Sequence, residues 1–162
     1  MKTLSFTGSR NINKNDVELA HRLHNHLEEY IQKGYTHYLH GACYGSDFWF
    51  AKSTLRHKEK YPHIKLISYV PHLNQSEKWS AEDKETYKYI IENSDEVVQI
   101  TNEPYSDYCM KLRNLRLVND CDSLLSIWSG NRKSGTFQTI SLAMDAENVK
   151  DIGLCCLGRT CA

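Results

Sequence analysis

Three short stretches combine glycine, hydroxyl and cationic residues in a way that suits the grip of a phosphate: TGSR (Thr7 to Arg10), GACYGSD (Gly41 to Asp47) and SGNRKSGT (Ser129 to Thr136). Glycine lets the backbone approach a ligand with no Cβ in the way. A helix starting just beyond it offers unpaired N–H donors and the positive end of its dipole. The candidate contacts are Gly8 and Ser9 in the first stretch, and Gly41, Ala42, Gly45 and Ser46 in the second. In the third they are Ser129, Gly130, Ser134, Gly135 and Thr136. Arg10 and Arg132, with Lys133, add positive charge, and arginine can hold phosphate through two parallel hydrogen bonds. Any α/β protein needs glycine in some turns, and Arg132 and Lys133 read equally well as solvated loop cations. Three such turns after strand-like runs shift the balance toward a phosphate-bearing ligand. No GK[ST] follows four residues after a glycine, and no GxGxxG occurs, so an ATPase or a conventional NAD dehydrogenase is unsupported.

Asp47, at the expected start of a helix, suits either the helix dipole or a ligand ribose hydroxyl. Arg113, in KLRNLR, lies on a helix whose apolar face is already supplied by Met110, Leu112, Leu115 and Val118, and periodicity leaves its direction open. Tyr44, Trp79, Tyr105 and Tyr108 can stack on a base, although aromatic residues more often serve the core. The six cysteines contain no CxxC and the eight histidines no HExxH. Buried thiols in a reducing compartment and solvated histidines are expected, with no metal and no cofactor.

The elements that must position these residues alternate. Strand-like runs TLSFTGS, THYLHG, IKLISYVP, DEVVQIT, SLLSIW and DIGLCCL are separated by helical stretches. The first helix repeats Leu19, Leu23, Leu27 and Ile31 until Gly34, with Asn15 as its expected cap and Glu18 completing a capping box. This order predicts an α/β fold: a Rossmann-like doubly wound, mainly parallel sheet with helices on both faces, as one domain over residues 1–162. Ligands of such folds sit outside the carboxyl ends of the strands, where the three turns converge.

Twenty Lys and Arg balance twenty Asp and Glu, so no broad field holds a nucleic-acid backbone or an anionic membrane. A polymeric nucleic acid is therefore an unlikely partner. No apolar run is long enough to span a bilayer, and MKTLSFTGSR lacks a signal peptide's apolar region, so a cytoplasmic protein is expected.

The motifs resemble those of the SLOG superfamily, which groups Lonely Guy (LOG) phosphoribohydrolases, DprA DNA-processing proteins and YpsA-like proteins. LSFTGSR and HGACYGSD are similar to the first-strand and glycine-rich motifs of the DprA branch, and SGT (Ser134 to Thr136) resembles the GGxGT of LOG proteins. The nearest likeness is to the YpsA-like branch, through the loop at Trp79, the PY at Pro104 and Tyr105, and the RN at Arg113 and Asn114. The resemblance implies a Rossmann-like pocket for nucleotide-derived small molecules, Arg113 and Asn114 among its contacts, in a homo-oligomer, dimer or higher. LOG enzymes cleave a base from ribose 5-monophosphate with an arginine, here matched by Arg113, and the glutamate of GTxxE. Thr139 stands at that glutamate's position. Cleavage passes through a cationic sugar that a carboxylate stabilises, and threonine has neither charge nor useful basicity. Asp47, Glu103, Asp107 and Asp145 are candidates to supply a carboxylate from another position, and the sequence leaves open which of them approaches the pocket. The leading expectation is thus a binding module for an ADP-ribose-like, NAD-derived or cyclic nucleotide, acting as sensor, regulator or sponge. A nucleotide N-glycosidase using Arg113 comes second and DprA-like single-stranded DNA binding third.

Overall fold

The described residues alternate strand and helix: β1 (Lys2–Gly8), α1 (Val17–Gln32), β2 (Tyr35–His40), α2 (Ser46–Lys60), β3 (Lys65–Val70), α3 (Ala81–Asn93), β4 (Glu96–Gln99), α4 (Asp107–Asn119), β5 (Ser123–Trp128), α5 (Gly135–Asp145) and β6 (Asp151–Cys156). The structure, a computed structural model, describes residues 1–156. Leu157, the end of the expected sixth strand, and Cys161 lie outside the described residues.

The strands form one sheet in the order β4-β3-β2-β1-β5-β6, every neighbouring pair parallel. This is the doubly wound α/β arrangement. From β1 the chain steps outward through β2, β3 and β4, then returns through α4 to place β5 on the other side of β1. The turns leaving β1 and β5 therefore diverge to opposite faces, and a crevice opens between them at the carboxyl edge.

The core lies on both faces. Leu4 and Phe6 of β1 pack with Leu19, Leu23 and Leu27 of α1 and with Phe50 of α2, whose ring stacks on Phe6 at 4.7 Å. Each of these leucines is fully buried, worth about 1.5–3 kcal/mol apiece. On the opposite face Leu39, Ile67 and Tyr69 meet Leu117 of α4, while Leu124 meets Val118, Ile140 and Ala143.

Two details of the helices differ from the sequence reading. Asp16, not Asn15, caps α1, its carboxylate accepting the Leu19 N–H at 3.0 Å. The ordinary N-cap geometry reaches three residues ahead, so Glu18 falls inside the first turn. The inward stripe of α4 is Cys109, Arg113, Asn114, Leu117 and Val118, while Leu115 is exposed. Hydrophobicity misplaces this face because the sheet edge it covers contains a polar site.

Candidate functional site

At the crevice between β1 and β5 lies a cavity of about 530 Å³. Its walls come from four places: the turn after β1 (Gly8 to Asn11), the turn after β2 (Gly41, Cys43, Asp47), Arg113 and Asn114 of α4, and the turn after β5 with the start of α5.

The first turn is stapled in place. Ser9 N–H donates to Ile127 O of β5 at 3.0 Å, and Ser9 O accepts both the N–H and the hydroxyl of Ser46 at the start of α2. Gly45, with φ of +89°, lies under this turn; a Cβ there would sit 2.5 Å from Arg10 O. Only glycine fits both the conformation and the space.

His40 organises the second turn. It is fully buried, and its Nδ1 accepts the Ala42 N–H at 3.1 Å, holding Ala42 at φ 58°. That bond assigns the ring proton to Nε2, which donates to Ser68 Oγ at 2.7 Å. Ser68 hands on to Ser94 Oγ, and Ser94 Oγ to Ile90 O. Burial, helped by the Arg113 charge, pushes His40 down to about 3, so the ring is neutral.

The third wall centres on Arg113, whose Nη1 donates to Gly41 O at 2.6 Å and whose Nε donates to Asn114 Oδ1 at 3.0 Å. Asn114 reaches Gln138 of α5 at 3.3 Å. Asp47 is buried beside them and accepts the Cys43 N–H at 3.1 Å. Burial raises its carboxyl to about 6, against the opposing pull of Arg113, the Cys43 N–H and Arg10. Burial lowers Arg113 from its ordinary value, with Asp47 opposing. Cys43 is pushed up to about 11 by burial and carries its proton at neutral pH. Two guanidinium groups thus share the cavity wall with a single carboxylate, so cationic side chains outnumber the anionic one among the described lining residues.

The fourth wall is the opening of α5. Ser134 Oγ accepts the Phe137 N–H at 3.1 Å and Ser134 O accepts that of Gln138. The Gly135 and Thr136 N–H groups, which no intrahelical carbonyl can reach, remain at the cavity wall.

Of the residues the sequence singled out, Gly8, Ser9, Arg10, Gly41, Asp47, Arg113, Asn114, Ser129, Ser134, Gly135 and Thr136 line this cavity. Ala42, Gly45 and Ser46 lie behind it and shape the turns, Gly130 has open surroundings, and Arg132 is exposed outside the lining. Lys133 is exposed as well. Thr139 is fully buried behind the wall, its hydroxyl spent on Gly135 O at 3.1 Å. Glu103, Asp107 and Asp145 are exposed, which leaves Asp47 as the one carboxylate among the lining residues described.

Sequence reasoning missed Asn131 and Cys43, which line the cavity, and His40. The histidine expectation needs correction: His40, His57 and His72 are buried, and His57 stacks on His24 at 3.8 Å. Each has a hydrogen-bond partner that offsets the loss of water. Cys43, Cys109, Cys121 and Cys155 are free and buried thiols, and no group of three or more metal-type ligands exists among the described residues.

A family model described as the YspA SLOG family (YpsA) matches residues 11–154. The chain belongs to the YpsA SLOG family. Its curated relatives include a UPF0398 protein from Bacillus cereus, 30% identical over an alignment of 137 residues that covers 79% of this chain and 74% of the relative. A UPF0398 protein from Bacillus thuringiensis is 29% identical over the same length. Among solved structures, DNA processing protein A (DprA) from Streptococcus pneumoniae superposes with a TM-score of 0.66 at 17% identity, covering 94% of this chain and 50% of that one. DprA from Helicobacter pylori, described for its single-stranded DNA binding mode, gives 0.67 at 15% identity over 94% and 64%. TM1055 gives 0.54 at 18% identity over 88% and 68%. The chain therefore spans half to two thirds of the DprA proteins, and these likenesses show a shared fold. SLOG membership agrees with the motifs GSR, GACYGSD and SGT, which in this YpsA-family chain all stand at the carboxyl edge of the sheet.

Proposed function

We propose that this YpsA-family chain binds a phosphate-bearing nucleotide derivative in the crevice between β1 and β5, and acts as a sensor, regulator or sponge for it in the cytoplasm. The observation that carries the reading is the pairing of Arg10 and Arg113 with the free N–H groups of α5 around one cavity. A phosphate there would meet positive charge on one side and backbone donors on the other. The 530 Å³ volume suits a ligand of nucleotide size. ADP-ribose-like, NAD-derived and cyclic nucleotides all carry the required group. A homo-oligomer is part of the proposal and is checked by light scattering. Native mass spectrometry of protein purified from cells tests the whole reading: an intact bound nucleotide supports it. An empty protein that also fails to bind such nucleotides more tightly than millimolar contradicts it.

A second reading, an N-glycosidase of nucleotides, is favoured by one feature, the Asp47 carboxyl raised to about 6 within the cavity. A carboxyl poised there can stabilise a cationic sugar and assist water at neutral pH. Chromatography for free base after incubation with nucleoside monophosphates decides it, with base release abolished in Asp47→Asn.

The single-stranded DNA binding described for the H. pylori DprA structure supports a third reading. The formal net charge of zero disfavours it. A gel shift with single-stranded oligonucleotide at low salt supports DNA binding if a complex appears.

A further inference from the structure

A second cavity of about 470 Å³ adjoins the first and shares Arg10 and Cys43 with it. Its character differs. The walls carry His72, Gln75, Trp79, Pro104, Tyr105 and Met110, so flat rings replace the glycines and hydroxyls of the phosphate side. Trp79 is held edge-on by Tyr44 at 5.2 Å, Phe48 at 6.0 Å and Tyr87 at 5.3 Å. Tyr105 meets His72 edge-on at 5.5 Å, yet is 62% exposed, with a free face for stacking.

The loop that forms this wall is fixed before any ligand arrives. Leu73 N–H donates to Glu103 O at 2.9 Å and Thr101 Oγ1 to Pro71 O at 2.8 Å, which ties the turn after β3 to the turn after β4. Asn74 takes φ 55°, a left-handed conformation that asparagine tolerates, immediately before Gln75. Gln75 is only 8% exposed, and its buried carbonyl oxygen has no hydrogen-bond partner. A lone acceptor kept from water is destabilising until a donor reaches it. It is the kind of group a ligand N–H would satisfy.

We propose that this second cavity is a base subsite: it takes the heterocycle of a nucleotide bearing an exocyclic amine, stacked by Tyr105 and Trp79 and read by the Gln75 carbonyl. The proposal rests on the phosphate reading of the first cavity, with Arg10 spanning the two. Uracil, whose one base-edge N–H is flanked by two carbonyl oxygens that repel the Gln75 carbonyl, is the disfavoured base.

Calorimetry with ribose 5-phosphate, AMP, GMP, CMP and UMP tests it on the wild-type chain, Gln75→Leu and Tyr105→Ala. Leucine leaves no unpaired polar group behind and Tyr105 is on the surface, so both variants are expected to fold, as checked by thermal unfolding. The expected result is that AMP, GMP or CMP binds about tenfold or more tightly than ribose 5-phosphate. Either variant then narrows that gap to about threefold or less and leaves ribose 5-phosphate unaffected. Nucleotides no tighter than ribose 5-phosphate, UMP as the tightest probe, or equal weakening of all probes by Gln75→Leu overturns the base subsite alone. If neither ribose 5-phosphate nor any nucleotide binds, the phosphate reading falls with it.

Discussion

Arg113 Nη1 donates to the carbonyl of Gly41 across 2.6 Å, and this bond locks α4 to the turn that follows β2. The approach leaves no room for a side chain at Gly41: a Cβ there would lie 2.7 Å from Nη1 and 2.9 Å from the guanidinium carbon. Gly41→Ala should therefore push the guanidinium aside. The expected cost in urea unfolding is about 1–3 kcal/mol, typical of an overpacked site. Nucleotide affinity should fall with it, because the displaced charge no longer faces the cavity.

Arg113→Lys should not substitute for arginine. A lysine keeps the charge but cannot bond Gly41 O and Asn114 Oδ1 together in the planar fork that fixes the present geometry. Calorimetry with AMP should show a loss of about tenfold or more. Affinity equal to the wild type would mean that Arg113 acts as a point charge only.

His40 makes the second turn sensitive to acid. Its folded value of about 3 lies below the ordinary 6.5, so between those pH values the unfolded chain binds a proton that the folded chain refuses. The contribution of neutral His40 is intact above about pH 6.5 and is lost as pH falls toward 3. His40→Leu strands the Ala42 N–H and should cost about 1–3 kcal/mol at pH 7. Urea midpoints measured from pH 7 to pH 4 should fall less steeply in the variant than in the wild type.

Asp47 contributes with the opposite sign. Its folded value of about 6 lies above the ordinary 3.8, so the stability it supplies is full below about 3.8 and declines as pH rises through 6. Asp47→Asn mimics the neutral form. The variant should be more stable than the wild type at pH 8, by up to about 3 kcal/mol at about 1.4 kcal/mol per pKa unit, with the difference vanishing near pH 4.

The fold was legible in the sequence because strand and helix alternate with clear apolar periods, as in Leu19, Leu23 and Leu27. The glycine-rich turns were legible for the same reason, since a doubly wound sheet brings strand ends together. The direction of Arg113 was not. Leu115 looks like a core residue in one dimension, but a helix that covers a polar crevice turns Arg113 and Asn114 inward and leaves Leu115 outside. His40 was hidden too: its partner Ser68, and Ser94 beyond it, are remote in sequence, and no local pattern records their contact.

Thr139 marks the departure from the LOG motif. It is fully buried and bonded to Gly135 O, so a glutamate placed there enters the core rather than the cavity. Thr139→Glu should destabilise the chain by several kcal/mol, measured by thermal unfolding, and release no base from AMP. Thr139→Val should cost about 1 kcal/mol and leave nucleotide binding unchanged.

In the proposed complex a phosphate group is gripped between Arg10, Arg113 and the start of α5. Calorimetry of AMP against adenosine, on the wild-type chain and on Arg10→Gln, tests it most directly. AMP should bind about a hundredfold more tightly than adenosine, and Arg10→Gln should erode the difference by about tenfold. Equal affinity for AMP and adenosine, or a preference for AMP that Arg10→Gln leaves untouched, would contradict it.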